Sequence, residues 1–126
     1  RVLVMREGRL IQDGSPETIY QQPLDSYTAS LLGDYNLLEA QLAKILIPGK
    51  EMNTEKKWML RPEQLSLDGI DQSPVTAIIR EMRYCGSHYM AVADVMGQEL
   101  KIKTSCKFNT GDSVRLSLRA GNPWLI

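Results

Sequence analysis

Histidine and cysteine are nearly missing from this sequence: His88 is the one histidine, and Cys85 and Cys106 are the two cysteines among 126 residues. A zinc site built from nitrogen and sulfur needs about four ligands, so a lone histidine with no partner at ligand spacing reads as an ordinary strand residue. Cys85 and His88 stand three apart, the outline of a nucleophile and its base. No acid is placed to orient the histidine, which leaves the pair without the third member that such chemistry uses. No secretory leader precedes the cysteines and the chain is not cysteine-dense, so both are expected to be reduced, as in a cytosolic protein.

Excess charge is also missing. Lys+Arg and Asp+Glu both number 15, and aromatic residues make up 6%, whereas an OB-like nucleic-acid binder needs a basic face with aromatic residues on it. Nucleic acid is therefore not expected as a partner. No apolar run approaches the ~20 residues of a membrane-spanning helix, so direct membrane insertion is not expected either. Most tellingly for catalysis, there is no GxxxxGK[ST] loop to wrap phosphates. The expectation is that this chain carries no catalytic site, no metal and no cofactor of its own.

What is present is a hydrophobic fraction of 43% with 24% charged residues, the balance of a folded globular chain. Arg1 to Gln12 reads as a β-hairpin turning at Glu7-Gly8, with Asp13-Gly14 as a further turn. Ser15-Pro16-Glu17 is a helix start: a capping hydroxyl, a proline at the first helical position and a carboxylate at the positive end. Pro23 ends that helix. A second helix is expected from Asp25 or Ser26 to Leu32, closed by Gly33.

Beyond Tyr35 the pattern turns to strands. Leu37 to Ile47 is ambiguous, since its leucines fit helical spacing and alternation alike. Strands are predicted over Lys57–Arg61, Val75–Tyr84, His88–Met96, Glu99–Thr104 and Val114–Leu118, separated by Gly, Pro and Asn turns. Leu100 and Ile102 should face inward while Glu99, Lys101 and Lys103 face water. Such closely spaced strands argue for a small, nearly closed barrel. Residues 69–73 have the composition of a linker.

Arg61-Pro62-Glu63 is a rigid polar corner at a strand end. It reads either as a surface turn with a weak ion pair or as a contact point for a neighbouring subunit. Tyr84 and His88 flank the Cys85-Gly86-Ser87 turn and are candidates for the rim of a regulatory or interface pocket. Trp58 and Trp124 are expected to pack in the barrel. Thr104, Ser105 and Lys107 are candidates for an oxyanion site, although no Gly-rich nest accompanies them.

Gln12, Gly14, Pro16, Ile19, Tyr20, Pro23, Gly33 and Asn36 occur in order and spacing. This run resembles the segment that follows the switch histidine in ABC-importer ATPases, with Ser15 where threonine is commoner. Residues 35–126, including the Arg61-Pro62-Glu63 corner, resemble the TOBE domain (OB-like, also MOP-like) appended to those ATPases. The resemblance implies residues 1–34 as the end of an ATPase domain and 35–126 as a regulatory β-barrel. It implies a parent that hydrolyses Mg-ATP to drive solute uptake, with ferric iron or polyamine favoured by the Asp34–Leu38 junction. It also implies a homodimer through the motor or the barrel, transmembrane permease partners, and a cytoplasmic position peripheral to the inner membrane. The alternative is a barrel that binds or senses molybdate- or sulfate-type oxyanions. A hairpin parted from its parent sheet would also invite strand exchange.

Overall fold

The computed structural model describes residues 1–49, 55–67, 73–119 and 122–126. Strands β1 (Val2–Arg6) and β2 (Arg9–Gly14) form the expected antiparallel hairpin. Its turn places Glu7 at φ 52° and Gly8 at φ 78°, the paired left-handed geometry that matches the twist of a two-residue hairpin. The hairpin is longer than the sequence suggested. Asp13 and Gly14 are not a turn but the end of β2, opposite Leu3 and Val2, with the Asp13 carboxylate paired to the guanidinium of Arg1.

Helix α1 (Pro16–Gln21) starts where the capping signal placed it, with the Ser15 hydroxyl accepting the Thr18 N–H at 3.1 Å. In α2 (Ser26–Leu31) the Asp25 carboxylate does the same for Thr28 at 2.8 Å. The ambiguous stretch resolves into both alternatives in succession. Strand β3 (Asn36–Leu38) gives way to α3 (Ala40–Leu46), which turns Leu42, Ala43 and Leu46 into the core before Pro48-Gly49 ends it.

The remaining strands are β4 (Trp58–Leu60), β5 (Leu65–Ser66), β6 (Val75–Tyr84), β7 (Tyr89–Val95), β8 (Gln98–Thr104), β9 (Ser113–Leu118) and β10 (Trp124–Leu125). They build a five-stranded antiparallel sheet in the order β5-β9-β6-β7-β8 and a three-stranded sheet in the order β10-β4-β3. The edges β5 and β8 of the larger sheet lie against each other, so it curls into a nearly closed barrel. Leu100 and Ile102 are fully buried, as the alternation required. With Leu65, Ile79, Ala91, Ala93, Val95 and Leu116 they form one core that α3 covers, and Trp58 packs against it. The linker-like residues 69–72 lie outside the described residues.

Two short elements have little sequence signal. Strand β5 has two residues and β10 has two, below the length at which alternation can be read. Between β4 and β5 sits a single 3-10 turn, Pro62–Gln64, closed by Gln64 N–H to the Arg61 carbonyl at 3.0 Å.

Candidate functional site: a buried arginine and the cleft beside it

Strand β4 delivers Arg61 to the corner where the β-structure meets residues 1–34, and Pro62 fixes the backbone there. Arg61 is 1% exposed, so the reading of a solvated surface ion pair does not hold for it, while Glu63 stays partly exposed. Its guanidinium turns inward onto main-chain carbonyls of the same chain. Nε and Nη2 donate to the Tyr20 carbonyl at 3.1 and 2.9 Å. Nη1 donates to Ala29, Gly33 and Asp34 at 3.0, 3.2 and 3.1 Å.

These acceptors explain why an arginine stands here. Tyr20 lies in the last turn of α1 and Ala29 in α2, and the last carbonyls of a helix have no intrahelical N–H to bind. A planar fork with five N–H donors satisfies several of them at once, which a lysine could not. The positive charge is also well placed at the negative ends of two helices. Burial lowers the pKa of the guanidinium, while the nearby Tyr20 and Glu63 oppose that shift.

Tyr20 completes the joint. Its ring lies 4.1 Å from the Arg61 guanidinium carbon, within cation–π range, and its hydroxyl donates to Glu63 Oε2. Partial burial, then the hydrogen bond to the Glu63 carboxylate and its charge, push the phenol pKa up to about 12. On the far side, the Trp124 indole N–H donates to the Pro23 carbonyl at 2.9 Å. Trp124 is thus part of the joint as well as an edge-strand residue.

The other sequence candidates are elsewhere. Tyr84 and His88 occupy the tip of the β6–β7 hairpin, where Tyr84 is 73% exposed and its ring stacks at a tilt on its cross-strand partner Tyr89, 5.5 Å away. His88 Nδ1 sits 3.0 Å from the Ser87 hydroxyl, and its carbonyl accepts the Cys85 N–H at 2.9 Å. No hydrogen bond, ion pair or ring contact among the described residues links this tip to Arg61 or Glu63. Cys85 and Cys106 are both free and exposed. Thr104 is buried and its hydroxyl accepts the Cys106 N–H at 3.2 Å, whereas Ser105 and Lys107 point to solvent. The three do not converge on one cradle.

A cleft of about 320 Å³ opens beside the joint, lined by Tyr20, Gln21, Gln22, Glu63, Gln64 and Trp124 among others. Sequence reasoning singled out Glu63 but missed Gln21 and Gln22 as lining groups. Nothing in a Gln-Gln pair at a helix end marks it before the 3-10 turn is folded against it. The arrangement has no nucleophile with a base. It can hold two parts of the chain in a fixed relation, and it can bind.

A family model described as TOBE domain matches residues 58–126. The chain is also similar to the Fe(3+) ions import ATP-binding protein FbpC 2 of Pectobacterium atrosepticum, 34% identical over 94% of this chain and 39% of that protein. Against the Fe(3+) ions import ATP-binding protein FbpC of Escherichia coli the identity is 31%, over 82% of this chain and 33% of that protein. The protein of the same printed name from Photorhabdus laumondii is 29% identical over 93% of this chain and 37% of its own length. The chain therefore spans between a third and two fifths of the curated relatives it matches.

Proposed function

The chain belongs to the TOBE-domain family, and from that premise we propose that it is the regulatory end of the ATP-binding subunit of an ABC importer. In this reading the longer protein hydrolyses Mg-ATP on residues outside this sequence and couples it to solute uptake, with ferric iron as the solute. Residues 1–34 close the ATPase domain, and residues 35–126 form the module that reports to it. The subunit works as a homodimer beside transmembrane permease subunits, at the cytoplasmic face of the inner membrane. No helix among the described residues is long and apolar enough to cross a membrane.

One observation carries the reading. Arg61 of the β-structure binds carbonyls at Tyr20, Ala29, Gly33 and Asp34, so one buried side chain ties the two parts together at four points, beside the Tyr20–Glu63 and Trp124–Pro23 bonds. A regulatory module must bias the motor's states by differential contacts, and a stiff joint lets it do so. Similarity to iron-import subunits runs through both parts, which supports treating them as one unit.

The test is a chimera. The matching segment of the Escherichia coli iron-import subunit is replaced by this chain, in cells that supply that subunit's own partners. The chimera should restore uptake of radiolabelled ferric iron, and Arg61→Ala within it should depress uptake more than ATP hydrolysis. A folded chimera that hydrolyses ATP but imports no iron would overturn the assignment.

A further inference from the structure

The cleft beside Arg61 has a chemistry that the joint does not use. Among the described residues nothing binds Glu63 Oε1, since Tyr20 takes Oε2 and none of the ion pairs involves Glu63. The side-chain amides of Gln21, Gln22 and Asn122 make no hydrogen bond among the described residues, yet all three line the same cleft. Each amide offers two donors and an acceptor. Trp124 supplies a large, partly buried aromatic surface whose N–H is already spent on Pro23.

The charge balance decides what kind of ligand this suits. Arg61 also lines the cleft and lies close enough to Glu63 for their charges to interact; its Nε, Nη1 and Nη2 each donate to carbonyls and the residue is 1% exposed. It therefore offsets the carboxylate while presenting almost no surface to an anion. A site with no net charge does not select an anion, and it has little to hold a cation against the hydration that the cation would lose. Paired donors and acceptors along one edge, with an aromatic face opposite, match a neutral ligand that has hydroxyl groups on its rim and C–H groups on its flat side. A volume of about 320 Å³ is at the small end for ligand sites, room for one ring.

We propose that this cleft binds a small neutral polyol of monosaccharide size, with vicinal hydroxyls bridged by Glu63 and the side-chain amides and the ring laid against Trp124. Because α1 forms one wall and the 3-10 turn the other, an occupant would stiffen the joint between the two parts of the chain. The inference rests on the cleft's own groups, and it can fail or stand whichever solute the longer protein carries.

The test is an NMR titration of this chain with D-glucose, following the side-chain amide resonances and the two indole N–H signals. The Trp124 signal and the Gln21 and Gln22 amides should shift saturably, with a dissociation constant on the order of 1 mM, while Trp58 on β4 stays in place. Gln21→Ala, which removes no side-chain hydrogen bond among the described residues, should weaken binding severalfold. Glu63→Gln should weaken it about tenfold, the scale of one charge-assisted hydrogen bond. Both spectra should otherwise retain the folded dispersion. Shifts that stay linear with glucose overturn the proposal. So does saturation by n-butylammonium in place of glucose, or glucose binding that both variants leave unchanged.

Discussion

The side-chain amide of Asn36 pairs with the backbone of Lys101 in both directions, donating to its carbonyl and accepting its N–H, each at 2.8 Å. It occupies the edge of β8 as a neighbouring strand would. Gln98, at the start of the same strand, repeats the device: its Oε1 accepts the Glu39 N–H at 3.0 Å and its Nε2 donates to the Leu37 carbonyl. Two amides thus stitch β3 to β8 and fasten the three-stranded sheet to the barrel.

Asn36 is 4% exposed, and removing its amide leaves the part-buried N–H and carbonyl of Lys101 without their partner. Asn36→Leu, of similar size, should cost about 2 kcal/mol through those orphaned groups. Asn36→Asp should cost more, because a carboxylate accepts from the Lys101 N–H but repels its carbonyl. Urea melts of the three proteins measure the order, and equal midpoints would refute the stitch.

Arg61→Ala should be the more damaging change, since it leaves several carbonyls at two helix ends without donors. A loss of about 3 kcal/mol or more is expected. Arg61→Lys should recover less than half of it. Lysine keeps the charge, but its three donors on a point-like head cannot span acceptors spread over Tyr20, Ala29 and Asp34. Full rescue by lysine would mean that charge alone holds the joint.

Tyr20 gives the fold an alkaline limit. Its phenol pKa rises from 10.0 to about 12 on folding, through partial burial first and then the hydrogen bond to Glu63 and its charge, all of which favour the neutral form. That contribution to stability is complete below about pH 10 and is lost as pH rises toward 12. In an absorbance titration of the tyrosinate band, Tyr20 should give a phase near pH 12. Tyr20→Phe should remove that late phase and flatten the stability curve above pH 10. An unchanged titration in the variant would assign the phase to another residue.

The long strands and the helix caps were legible in advance because each has a local signal. Alternation marks β8 through Leu100 and Ile102, and Ser15-Pro16 announces α1 with the cap hydrogen bond in place. Gly14 shows where local reading fails. Asp-Gly looks like a turn, but pairing with Val2 and Leu3 extends β2 through it. Arg61 was singled out for the right position and the wrong environment. An arginine before a proline looks solvated in sequence, and only the placing of two helix ends around it makes burial affordable. Asn36, Gln98 and Trp124 act across separations of 65, 61 and 101 residues, so no window of sequence could show their partners.

The β7–β8 turn offers a stabilising change. Met96 holds φ 51° ahead of Gly97 at φ 81°, a left-handed pair in which a methionine is strained, and its side chain is 52% exposed. Asparagine tolerates that conformation far better, and Asn-Gly is the favoured pair for such turns. Met96→Asn should raise stability by about 0.5–1 kcal/mol. A thermal melt that shows no gain would mean that the strain is already relieved.

The three-stranded sheet also bears on how this protein is made. Its middle strand, β4, takes one neighbour from far upstream and the other from far downstream: Leu38 faces Trp58, and Trp124 faces Met59. Such long loops must close before their contacts repay the lost entropy, which predicts slow acquisition of the native state. On the ribosome, β4 would emerge with one flank bare and keep it bare until residues 124 and 125 leave the exit tunnel. During that interval the unpaired edge is open to nascent neighbours, and a chaperone that shields it would raise the yield of correctly folded protein.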